Sequence, residues 1–137
     1  MAVRALRELD GRALGVGVLA ALLVVAPTTA LSIAVIDTDA ENGAGPLSLV
    51  LIVVTLFGFG FGGHRVARGG VGLPVTHGAF VGLLTYALVQ AVVLTGSAIV
   101  GREGQVRIVA LAISALLASS AGMIGASLGV RRSDWYR

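Results

Sequence analysis

The residues in this chain that could do chemistry are few and widely spaced. Asp37, Asp39 and Glu41 fall at the first, third and fifth positions of a calcium-binding loop, but Asn42 takes the place of the glycine such a loop turns on, and Ser48 that of its closing glutamate. The run reads as a solvated acidic loop. Gly58, Gly60 and Gly63 satisfy the GxGxxG spacing of a dinucleotide site, yet that site needs a strand before the glycines, a helix after them and an acidic residue about 20 positions on. The surroundings here supply none of these, so helix packing is the expected use of the glycines, with an unwound, ion-lining backbone as the alternative. His64 and His77 flank a turn carrying Arg65 and Arg68, and two histidines with no carboxylate nearby make a poor metal site. Interface anchoring or contact with lipid phosphate is expected of them, with pH sensing as a further alternative. The serines lack a deep base and no pair of acids converges. Zero cysteines exclude disulfides, thiolate metal sites and thiol catalysis together. The expectation is a chain that is not an enzyme and has no metal, no cofactor and no catalytic residue.

What must position these groups is a set of membrane helices. Hydrophobic residues make up 56% of the 137 and charged residues 12%, well below the roughly 25% of soluble domains, and the mean hydropathy is +0.95. Apolar stretches run over 13–36, 47–63, 75–100 and 106–130, free of Asp, Glu and Lys, with Arg107 at the edge of the last. Each approaches the ~20 residues that carry a helix across hydrocarbon. No alternation of the kind that marks barrel strands occurs over these spans. The fold class is therefore all-α, a four-helix transmembrane bundle filling one domain over 1–137.

The net charge of +3 is no nucleic-acid signature, because the charges sit at the membrane boundaries. Arg4, Arg7, Arg12, Arg65, Arg68, Arg131, Arg132 and Arg137 fall on one side, and only Arg102 and Arg107 on the other. The positive-inside rule then places both termini in the cytoplasm of a cell (plasma or inner) membrane, with anionic lipid expected at Arg65 and Arg68. The absence of lysine beside abundant Ala, Gly and Val suggests a GC-rich bacterial gene. The first stretch has the arginines and small residues of a secretory signal, but at 24 residues it outruns a signal's apolar core of about 7–15 and reads as a retained helix.

Helical projection sorts the small residues onto stripes. Ala110, Ser114, Ala118, Ala121, Gly122, Gly125 and Gly129 share one side of the fourth helix; Gly78, Gly82, Tyr86, Val89, Gln90, Val93, Gly96 and Ser97 share one side of the third. Gly17, Ala21, Thr28 and Ser32 form a comparable stripe on the first, next to Pro27, whose missing N–H frees a carbonyl that the nearby hydroxyls are expected to cap. Such stripes let backbones approach closely in lipid. Gly58, Gly62, Ser114, Ala118, Gly122, Gly125 and Gly129 are the expected helix-contact residues. Thr28, Ser32, Tyr86, Gln90, Ser114, Ser119 and Ser120 read as the polar groups at depth, serving interhelical hydrogen bonds or, at Thr28, Ser32, Tyr86 and Gln90, lining a cavity. The pairs Gly58/Gly62 and Gly125/Gly129, each followed by basic residues, also suggest that helices one-two and three-four are parallel repeats.

The stretch Gly58-Phe59-Gly60-Phe61-Gly62-Gly63-His64-Arg65-Val66-Ala67-Arg68, followed by Thr76-His77-Gly78-Ala79-Phe80-Val81-Gly82-Leu83-Leu84, resembles small bacterial four-helix integral membrane proteins with a glycine-rich second helix, a Gly/Arg turn and a His-Gly pair opening the third helix. That resemblance implies the fold and no activity. Small multidrug exporters carry a glutamate in their first helix, and this chain has none there. Dimeric fluoride channels share glycine-rich stretches but also a Thr-Thr-Phe-Ser run and a pore asparagine, both missing here. Two functions follow as expectations: a structural or accessory subunit assembling as a homo-oligomer or with another membrane protein through the small-residue faces, or a passive pore or facilitator for a small solute or ion, gated near Gly58 to Gly63.

Overall fold

The computed structural model of the chain describes residues 10–38, 45–99 and 108–130. Four helices fill them: α1 (Gly11–Thr38), α2 (Pro46–Arg68), α3 (Pro74–Ile99) and α4 (Ile108–Gly129). All four are long and apolar enough to cross a membrane. The acidic run Asp39–Glu41 and the arginines Arg4, Arg7, Arg102, Arg107, Arg131, Arg132 and Arg137 lie outside the described residues, as does the side chain of Asp37.

Local chemistry sets the helix ends. Asp10 caps α1, its Oδ1 accepting the N–H groups of Arg12 at 2.9 Å and Ala13 at 3.3 Å. Prolines open α2 and α3, where a missing N–H costs no hydrogen bond. α2 does not stop at Gly63 but continues through His64 and Arg65 to Arg68, because glycines packed against neighbouring backbones keep their helical bonds. Gly69 then caps it, donating to the carbonyls of Val66 and Ala67, and Gly70 turns the chain at φ +76°, a conformation that favours glycine. α1 runs unbroken past Pro27. The carbonyl that Pro27 frees is that of Leu23, yet the Thr28 and Thr29 hydroxyls donate instead to Val24 and Val25, correcting the expected cap.

Around the bundle the order is α1, α2, α4, α3. α2 and α3 also touch across the middle, whereas α1 makes no contact with α4. A parallel repeat would rotate the α2–α3 contact onto α4–α1; since α1 and α4 stand apart, the two halves are not related that way. Antiparallel connection brings the start of α1, the end of α2, the start of α3 and the end of α4 together, so Arg12, Arg65 and Arg68 share one end, here the basic end.

At that end the helices meet backbone to backbone. A methyl group added at Gly63 would collide with the carbonyl of Gly122, one at Gly78 with the same carbonyl and the Ala126 methyl, one at Gly82 with the carbonyl of Ala118, and one at Gly125 with Gly60. Gly17 and Gly62 also bring α1 and α2 close, against Val81 of α3. Outward, Leu19, Leu23, Val53, Val92, Leu116 and Leu128 stand exposed, and in a bilayer they meet acyl chains.

Gly125→Leu and Gly122→Leu are expected to abolish or sharply lower the thermal unfolding transition in detergent, since overpacking costs about 1–3 kcal/mol even where side chains can yield and here the obstacle is backbone. Gly96→Leu, with open space around it, is expected to leave the transition within a few degrees of the parent.

Candidate functional site

Away from the basic end the glycines give way to larger side chains, and the four helices part around a cavity of 290 Å³. α1 contributes Val25, Thr29, Ser32 and Ile33; α2 contributes Ile52, Thr55, Leu56 and Phe59. α3 adds Tyr86, Val89, Gln90 and Val93, and α4 adds Ser114 and Leu117. Val25 and Phe59, packed with Ala118 into a buried cluster, close the cavity toward the basic end. An apolar groove between α1 and α3, lined by Leu22, Ala26, Ala30, Leu88 and Val92, shares Thr29, Ile33, Val89 and Val93 with it, so the cavity adjoins the lipid-facing surface there.

Among the described residues the lining is uncharged, and the hydroxyls of Thr29, Ser32, Thr55 and Tyr86 are tied to backbone. Thr29 donates to Val25, Ser32 to Thr28 and Thr55 to Leu51, each at 2.8 Å and each to the carbonyl four residues back. The Tyr86 hydroxyl donates across helices to the carbonyl of Leu111 at 3.2 Å, joining α3 to α4. The Gln90 carboxamide, half-buried in the wall, makes no hydrogen bond with a described residue.

Of the residues expected to line a cavity, Ser32, Tyr86 and Gln90 are brought together here. Thr28 is not: it is 7% exposed, its hydroxyl bonded to Val24, while its neighbour Thr29 takes the position on the wall. Thr29, Thr55 and the buried Thr85 are further polar groups at depth, beyond those expected from the sequence. The register 25, 29, 32, 33 on α1 is the signal that would have found Thr29, because those positions share one helix face.

Among the expected helix-contact residues, Gly58, Gly62, Ala118, Gly122, Gly125 and Gly129 are buried against helices of this chain, and Ala126 belongs with them. Ser114 stands apart as an exposed residue on the cavity wall. The faces that would have met a second chain are therefore already filled by α1, α2, α3 and α4 themselves.

His77 also departs from expectation. It is fully buried rather than at an interface: Nδ1 lies 2.8 Å from the carbonyl of Leu73, and Nε2 accepts the backbone N–H of Asp10 at 3.0 Å. One neutral tautomer, protonated on Nδ1, satisfies both contacts. The ring thus fixes the residue that caps α1 to the start of α3. His64 is half-buried, its backbone against Gly129. Arg65 lies over the Phe61 ring at 6.0 Å and lines a shallow depression with Asp10, Arg12 and Gly69.

Compared with models of protein families, with curated proteins and with solved structures, the chain matches none.

Thr85 is fully buried and its hydroxyl has no partner, so Thr85→Val, which keeps the shape, is expected to leave the unfolding temperature unchanged or raise it. His77→Leu, which strands the Asp10 N–H, is expected to lower stability by about 1–3 kcal/mol in the same thermal assay.

Proposed function

We propose that this protein is a non-enzymatic, multi-pass membrane protein that binds a small uncharged solute between its four helices and acts as a passive facilitator for it. The observation that carries the reading is the cavity: all four helices wall it, and among the described residues it presents hydroxyls and a free carboxamide but no charge. An ion there would lose its hydration with no counter-charge to replace it, which is costly at bilayer depth. The same reasoning disfavours active, proton-coupled transport, which relies on an intramembrane ionisable group. The basic end, packed glycine against backbone, is the closed side of the path, and Gly58 to Gly63 lie within that seal.

This reading is preferred to assembly as a structural subunit, because the small-residue faces that motivated assembly are used up inside one chain. The arginine distribution supports an orientation with both termini in the cytoplasm, and a bacterial cell membrane is the proposed location. Arg65, beside Arg12 in the depression at the basic end, and Arg68 nearby would there meet anionic headgroups of the cytoplasmic leaflet.

The test is solute flux. Purified protein in liposomes is expected to raise permeability to at least one of glycerol, urea or a short primary amide several-fold over empty liposomes, with no rise for sodium, potassium or chloride. Solute flux at the empty-liposome level across the whole panel would end the facilitator reading.

A further inference from the structure

We propose that the cavity selects uncharged solutes that carry a hydrogen-bond donor, a hydroxyl or an amide N–H, on an apolar body, and that Gln90 is the residue that reads the donor-bearing group. The inference rests on reading this cavity as a solute site and concerns what it accepts.

A hydroxyl offers one donor and two lone pairs. At Thr29, Ser32 and Thr55 the donor is committed to the helix behind it, and at Tyr86 to the carbonyl of Leu111. These four oxygens can offer the cavity lone pairs only. Free donors come from the Gln90 carboxamide, whose N–H groups and oxygen are unspent, and from Ser114 on the neighbouring helix α4, for which no hydrogen bond to a described residue is present. The wall is therefore rich in acceptors. An anion would face mostly lone pairs, a cation would find no carboxylate, and a molecule with no donor would leave the acceptors unmatched.

A hydroxyl or amide N–H matches the acceptors, and the carboxamide of Gln90 can return a hydrogen bond to the same group, accepting from it and donating to its oxygen. The rest of the lining, with Val25, Ile33, Leu56, Val89 and Leu117, fits an apolar body. The adjoining groove between α1 and α3 gives such a body a lipid-side approach. Gln90 is thus the specificity-determining residue, with Thr55 and Ser32 as matched acceptors.

The test uses two photoreactive probes that differ only in the donor: an octanol bearing a diazirine and its methyl ether, each crosslinked to the whole protein in phospholipid nanodiscs. Labelled positions are mapped by mass spectrometry and normalised to lipid-facing Ile108 and Val109. The alcohol is expected to label residues 25–33 and 86–93 about fivefold more than the ether, the effect of one hydrogen bond at membrane depth. Gln90→Met is expected to bring alcohol labelling down to the ether level. Thr55→Val, a shape-preserving change, gives a second reading if Gln90→Met fails to fold: alcohol labelling falls while ether labelling holds.

Equal labelling of the cavity by both probes would overturn donor selection while leaving a binding cavity. A preference that survives both substitutions would overturn the assignment to these residues. Labelling confined to the lipid-facing positions would remove the cavity reading along with this one. The flux assay is independent, since binding with donor preference and no flux would sink the facilitator and keep the selection rule.

Discussion

In hydrocarbon, apolar side chains gain little by leaving lipid for one another, so helices hold together only where they fit closely enough for backbone and small side chains to touch. Everything in this bundle depends on how α4 meets that demand. Gly122 sits under the carbonyl of Gly78 and its own carbonyl covers Gly63; Gly125 sits against Gly60. One short segment of α4 is thereby locked to α2 and α3 at once, and those two are pressed together across the middle of the bundle. α1 joins through Gly17 and Gly62 and is fixed again where His77 holds Asp10. At these crossings a glycine cannot take a side chain without moving backbone.

The same constraint makes the cavity. Glycine is concentrated at the basic end, and beyond it Phe59, Leu56, Tyr86 and Leu117 take over. Helices held at minimum separation at one end by glycine and spread by aromatic and branched residues at the other leave space between them. Polar side chains in that space would be costly if exposed to acyl chains. Their hydroxyls fold back onto their own helices, which satisfies the proton and leaves the oxygen facing inward. Gln90 is too long and too rich in donors to be satisfied that way. With Ser114, it is a lining group whose hydrogen bonds are not made by any described residue.

Four helices long and apolar enough to span a membrane could be read directly from composition and segment length, because only helices and closed barrels satisfy a backbone in lipid and the alternation of barrel strands is missing. The small-residue faces were readable too, since Gly122, Gly125 and Gly129 repeat at helical spacing. What they would touch was not. Periodicity identifies a face, but the order of helices around the bundle depends on pairs such as Gly63 with Gly122 that lie far apart in sequence and carry no mutual signal. The cavity was half legible for a similar reason. Ser32, Tyr86 and Gln90 are polar residues on faces already assigned, whereas choosing Thr29 over Thr28 requires knowing the rotation of α1 to within one residue. His77 reads as an interface residue in the sequence because its partner, the backbone N–H of Asp10, leaves no mark there.

One end of the bundle is sealed by glycine packing, while toward the other the helices part around a largely apolar cavity that carries a few polar side chains. The chain has no cysteine, so single cysteines can be placed without interference and probed with a small, water-borne thiol reagent on protein in intact membranes. Cysteines at Ser32, Gln90 and Ser114 are predicted to react readily, and those at Val81 and Ala126 to stay unmodified over the same time. Comparable reaction at Val81 or Ala126, or none at the three cavity positions, would contradict the account.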